Sequence, residues 1–118
     1  MREYELGPIV AERILTVEGN PSTQIRALMG TPRIGAENGD YVCPIQIIGF
    51  GDEEVRGIYG VDAFQALQLG MQMIGMELYV KLNRKLGGKI RWNNQLDLGF
   101  PLPDSVIEFG PEHPRNTQ

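Results

Sequence analysis

Cysteine is nearly absent from this sequence. Cys43 stands alone, which excludes an intramolecular disulfide and any zinc site built from several thiolates. Histidine is as scarce: His113 is the only imidazole, between Glu112 and Pro114 near the C-terminal end. Cys43 thus has no histidine base nearby in sequence and no adjacent positive charge to lower its pKa, so a buried, inert thiol is expected. An excess of positive charge is also missing. Eleven Lys and Arg face fifteen Asp and Glu, for a net charge of −4, so the domain-wide basic footprint of a nucleic-acid binder is absent.

Other absences narrow the chemistry. No Gly-Lys-Ser or Gly-Lys-Thr follows a glycine loop, and Gly49-Phe50-Gly51 runs into Asp52, Glu53 and Glu54, which repel phosphate. That acidic run lacks the alternating ligand spacing of a calcium loop and reads as a solvated turn. No catalytic residue, metal or cofactor is expected. Residues 1–8 are polar and acidic, without the basic and apolar regions of a secretory signal. The longest mostly apolar stretch, residues 61–82, is broken by Gln65, Gln68, Gln72 and Glu77, which fits a core helix better than a membrane span. Cytoplasmic residence without a membrane partner is the expectation.

What is present describes one α+β domain over residues 1–109, with a flexible tail at 110–118. The chain has 118 residues, of which 42% are hydrophobic and 22% charged. A chain this long buries roughly two-thirds of its unfolded surface. The β-branched residues of 9–18 favour a strand, Gly19-Asn20-Pro21-Ser22 a hairpin turn, and residues 23–29 a second strand with Ile25, Ala27 and Met29 on one face. Gly30-Thr31-Pro32 and then residues 35–40 read as a long polar loop. Residues 41–50 form the strongest strand, with Tyr41, Cys43, Ile45 and Ile47 on one side; Pro44 marks an edge or bulge because it cannot donate to a ladder. A tight turn leads to a shorter strand, 54–59, with Val55 and Tyr59 on one face. The segment 89–93 reads as a short final strand. An antiparallel sheet of four or five strands follows, crossed on one face by one long C-terminal helix.

That helix carries the most information. Asp62 suits the N-cap, Gln65 sits three residues on as in a capping box, and Gly87-Gly88 supplies the stop. At 100° per residue, Ala63, Leu67, Gly70, Met71, Ile74, Leu78 and Leu82 form a sheet-facing stripe. A second apolar stripe, Leu69, Met73, Met76 and Val80, lies nearly opposite at helix–helix spacing. One stripe suffices to cover a sheet. The second therefore points either to an interface or to cover by a folded-back C-terminal segment containing Phe100, Leu102, Val106, Ile107 and Phe109.

Lys81, Arg84, Lys85, Lys89 and Arg91 gather near the helix end, with Trp92 following. Cations there complement the helix dipole, and no nucleic-acid partner is expected. Cys43-Pro44, Ile48-Gly49, then Gly60-Val61-Asp62-Ala63-Phe64-Gln65-Ala66-Leu67 and Ile74-Gly75 together resemble a family of small bacterial proteins classed as a domain of unknown function. The resemblance spans approximately residues 9–86 and implies a bacterial, cytoplasmic protein; it brings no catalytic residues.

The functional expectation is a non-catalytic interaction protein that forms a homodimer or binds another protein through Leu69, Met73, Met76 and Val80. The alternative is a small-ligand-binding or enzymatic domain whose pocket, between sheet and helix, would contain Tyr59, Gln65, Gln68 and Tyr79.

Overall fold

Two long neighbouring strands start the sheet. In the computed structural model, which describes residues 4–35 and 37–111, β1 (Ile9–Val17) and β2 (Asn20–Gly30) pair antiparallel around the two-residue turn Glu18-Gly19. Gly19 takes φ +83°, the left-handed conformation such a short turn needs. The turn is thus shorter than the expected Gly19-Asn20-Pro21-Ser22. Asn20 already pairs with Val17, and the register slip between Thr16 and Val17 absorbs the leftover residues of β2 as a bulge.

The other strands build outward from β4. They are β3 (Arg33–Ile34), β4 (Tyr41–Ile48), β5 (Arg56–Gly60) and β6 (Ile90–Arg91), giving six antiparallel strands. Tyr41 pairs with both Ile34 and Gly60, and Ile45 with both Met29 and Arg56, so β5 holds one edge of β4 while β2 and β3 share the other. From Met29 to Arg33 is four residues; the matching step on β4, Ile45 to Val42, is three. β3 is therefore a continuation of β2 after a one-residue irregularity. Pro44 faces that interruption, where a missing N–H costs the least. The expected count of four or five strands is too low by β3 alone, two residues that are too short for an alternating pattern to mark and that lie between the two parts of the expected loop. The expected strand at 89–93 is β6.

Helix α1 is continuous but changes hydrogen-bonding pattern along its length. It is α-helical over Ala63–Met76, π-helical over Glu77–Leu82 and α-helical again over Asn83–Lys85. Asp62 Oδ1 accepts from the Gln65 N–H at 2.8 Å, and Gln65 Oε1 accepts from the Val61 N–H at 2.7 Å, a capping box displaced by one residue. At the other end the Gly88 N–H bonds to Asn83 O and the Gly87 N–H to Arg84 O, both glycines having positive φ, which is a Schellman closure. The helix is not C-terminal in the sense expected: residues 86–111 follow it, including β6 and a 3-10 helix, Asp104–Phe109.

The core lies between α1 and one face of the sheet. Leu15, Ile25, Cys43 and Ile45 are buried there against Ala66, Ile74, Leu78 and Leu82. α1 lies chiefly over β4 and β5. The C-terminal segment covers the β1 end. Its anchor is Arg13, whose guanidinium sits 3.8 Å from the Trp92 ring centre and 4.8 Å from that of Phe100, while Nη1 donates to Leu98 O at 3.1 Å. Leu98 is fully buried.

The sheet's far face has a small cover of its own. Leu28, Val42 and Pro44 are buried on it. The Tyr4 and Tyr59 hydroxyls lie 3.2 Å apart with their rings edge-on, and the Leu6 carbonyl passes over Gly30. Farther along, Ile9, Val10 and Ile14 stay about half exposed, beside a Glu12–Arg26 ion pair. Gly110 is buried and Pro111 half-buried; residues 112–118 of the expected tail, including His113, lie outside the described residues.

Candidate functional site

Two halves of α1 offer different surfaces. Residues of the sheet-facing stripe are placed much as expected: Gly70, Ile74, Leu78 and Leu82 are buried, with Leu67 half-buried. Ala66 joins them, and Met71 is the departure at 37% exposed. Of the second stripe, Leu69 is open at 36%, while Met73, Met76 and Val80 are half-buried. Met73 packs against the core cluster. The folded-back C-terminal segment also exists. The Pro101 carbonyl and the Phe100 and Leu102 side chains press on the helix at Gly75, where a β-carbon would collide with them. Arg84 sits over the Phe109 ring, 5.6 Å from its centre. This cover lies on the Gly75–Tyr79 flank and begins only at Gly75.

The N-terminal half of the helix has no such cover. Phe64 is 85% exposed and Val61 74%, the two most open large hydrophobic residues among those described. Beside this half, a groove of about 120 Å³ runs between helix and sheet, walled by Met71 and Ile74 above, Ala27 and Met29 below, and Phe100 at its end. It exists because α1 sits over β4 and β5 and the C-terminal segment over the far end of β1. Phe64 belonged to neither helical stripe in the sequence; an aromatic outside both was the available signal.

The expected pocket residues do not converge. Tyr59 pairs with Val42, whereas its neighbour Ile58 pairs with Cys43, and Cys43 is the residue beneath the helix, 3.3 Å from where a β-carbon on Gly70 would lie. Tyr59 is therefore on the face away from α1, with Tyr4. The expected partnership of Val55 with Tyr59 is also lost, since Val55 precedes β5. Gln65 is committed to the cap, and Gln68 is exposed beyond it. Tyr79 is buried at the other end. Its oxygen accepts from the Leu98 N–H at 2.7 Å, and its hydroxyl lies 3.4 Å from Asp97 Oδ1. Burial foremost, helped by the Asp97 charge, pushes Tyr79 up to about 12 despite the Leu98 N–H bond. Tyr59 was expected between sheet and helix; the register of β5 on β4 sets it opposite Val42, one residue from Cys43, and successive residues alternate faces.

Cys43 is fully buried, and desolvation raises its thiol from 9.0 to about 11. It is held as a neutral thiol, the opposite of an activated nucleophile. The described residues contain no group of three or more His, Cys, Asp and Glu that could hold a metal ion. The clustered cations are used singly: Lys81 pairs with Glu77, Arg91 with Glu18, and Arg84 lies on Phe109.

One polar cleft remains, and the sequence reading missed it. The β4–β5 connection and the π-helical turn enclose about 90 Å³ over an apolar floor of Ile45, Phe50 and Leu82. Arg56 Nη1 meets Glu77 Oε1 at 2.7 Å, and Lys81 Nζ lies 3.6 Å from Glu77 Oε2. Asp52 Oδ1 accepts from the Glu54 N–H at 2.9 Å, a local turn that sets both acidic residues along the cleft. The four-residue spacing of Glu77, Lys81 and Lys85 was its signal. A π-helical turn widens the helix, and such turns recur at functional sites.

A six-stranded antiparallel sheet under one long helix, with a solvent-open groove and a charged cleft, defines an α+β domain. The chain belongs to the family described as a domain of unknown function (DUF6968), whose model matches residues 11–102. That range runs from Ala11, two residues into the β1–β2 ladder, through the Arg13–Phe100 anchor. No curated protein and no solved structure matches the chain.

Proposed function

We propose that this protein is a non-catalytic interaction module that docks a second copy of itself through the uncovered N-terminal half of α1. The observation that carries the reading is Phe64, open to water at 85% on a well-capped helix, with Val61 at 74% just before the cap. Burying a Phe or Leu side chain is worth roughly 1.5–3 kcal/mol, so this surface gains substantially from being covered. The expected interface row, Leu69, Met73, Met76 and Val80, lies more than about 100° round the helix from Phe64 and forms a separate apolar edge, open at Leu69 and half-buried beyond it. Two-fold contact is the commonest way for one patch to meet its own copy, and thioether side chains adapt well to such a meeting. A bacterial, cytoplasmic setting belongs to this reading through the family resemblance.

Sedimentation velocity over a concentration series tests it. The wild type should show a concentration-dependent dimer, and Phe64→Ser should shift it to monomer without loss of the folded circular dichroism. A wild type that stays monomeric at several hundred micromolar overturns self-association. If a partner protein then protects Phe64 from solvent, the docking surface survives with a different occupant.

A further inference from the structure

The cleft beside the π-helical turn divides its charges by wall. Along α1 and β5 stand Arg56, Lys81 and Lys85 with Glu77, which sum to +2; along the β4–β5 connection stand Asp52 and Glu54, which sum to −2. The Arg56–Glu77–Lys81 cluster is paired internally, yet neither Lys85, Asp52 nor Glu54 forms an ion pair among the described residues. Opposite charges thus line one cleft without closing across it. Glu53, between the two acids, is tied elsewhere, accepting from the Gly49 N–H at 3.0 Å while its carbonyl accepts from Gln46. The loop is folded to leave Asp52 and Glu54, and only those, on the cleft.

We propose that this cleft binds a small zwitterion of the α-amino-acid class, its carboxylate toward Lys81 and Lys85 and its ammonium toward Asp52 and Glu54. An anion would be drawn to one wall and repelled by the other, and a cation the reverse; only a molecule with both charges gains from both. The apolar floor takes a short side chain. Size follows from the volume: about 90 Å³ is below the ~150 Å³ of a cavity that accepts benzene, so ligands of alanine size fit and aromatic ones do not. This site is separate from the docking surface and does not depend on it.

Amide NMR titration of the full chain with L-alanine, acetate and ethylammonium decides the matter. L-Alanine should give saturable shifts centred on Gly51, Asp52, Glu54, Lys81 and Leu82, with affinity at least tenfold above either single-charge probe. Lys85→Ala and Glu54→Gln alter exposed side chains and should keep the fold, while each weakens L-alanine about tenfold. The proposal is overturned if acetate or ethylammonium binds as tightly as L-alanine. It is equally overturned if shifts do not saturate or are spread evenly over the surface, or if neither variant changes them.

Discussion

The two halves of α1 share one backbone rod and have opposite fates. From Ala63 to Met73 the helix is regular, capped by Asp62 and open on its outer side, with Phe64 and Leu69 in solvent. From Gly75 to Lys85 it is roofed on one flank, widened into a π-helical turn and tied through Tyr79 to the buried Leu98. Local sequence holds the first half in place through its cap. Packing from three sides holds the second. Surface left bare is available for binding, so the proposed docking surface falls in the half with fewer tertiary obligations, and the polar cleft falls beside the π-helical turn.

The largest expected effect breaks the packed half. Leu78→Ala removes a fully buried side chain under the π-helical turn and should cost about 2–5 kcal/mol, read as a fall in urea midpoint. Leu69→Ala in the open half should cost under about 1 kcal/mol. Equal losses would erase the distinction between the halves.

Alkaline pH sharpens it next. Both Cys43, beneath the first half, and Tyr79, in the second, have folded-state values raised above their ordinary ones, from 9.0 to about 11 and from 10.0 to about 12. Each favours the protonated form when folded. Their stabilisation is complete below pH 9 and is lost as pH rises, first through the Cys43 window of 9 to 11 and then through the Tyr79 window of 10 to 12. The Cys43 part amounts to about 2–3 kcal/mol. Cys43→Ala should flatten the stability curve between pH 9 and 10 and leave the later fall, measured by chemical denaturation across pH. A wild-type curve that is flat from pH 8 to 11 would contradict both assignments.

Two smaller changes separate roof from cap. Gly75→Ala places a methyl against the Pro101 carbonyl, so the roof must shift, at about 1–3 kcal/mol. Faster amide exchange at Leu98 is the specific sign, since it hydrogen-bonds to Tyr79 beneath that roof. Asp62→Ala removes the cap and should cost about 1 kcal/mol, with faster exchange confined to the first turn around Gln65. If either change loosens the other's half, the helix behaves as one unit and the comparison fails.

The fold was legible where a local rule decides it. β-Branched content marked β1 and alternation marked β2 and β4, and Cys43, Ile45 and Ile47 share one side as expected, the side under the helix. The cap at Asp62 and the stop at Gly87-Gly88 are backbone requirements written in one or two residues. Much of the candidate surface was not legible. The second stripe was found, but Phe64 was not, because exposure depends on where another segment lies. The proposed pocket of Tyr59, Gln65, Gln68 and Tyr79 dissolved because strand register puts Tyr59 on the face away from the helix, the cap takes Gln65, and Tyr79 is buried against Leu98 at the other end. Arg13 between Trp92 and Phe100 joins residues far apart in sequence, beyond the reach of periodicity.

Sequence by itself determined that this is an α+β domain, that its helix begins at Asp62 and ends at Gly87, and that Cys43 is a core residue. Each follows from interactions within a few residues or from the period of burial. Only the tertiary structure decided which helix half is roofed, where the π-helical turn falls, and which charges share a cleft. Those depend on the path of the C-terminal segment across Gly75 and on the β4–β5 connection meeting the helix. Such contacts between distant segments are chosen by the packing of the whole, and no local pattern records them.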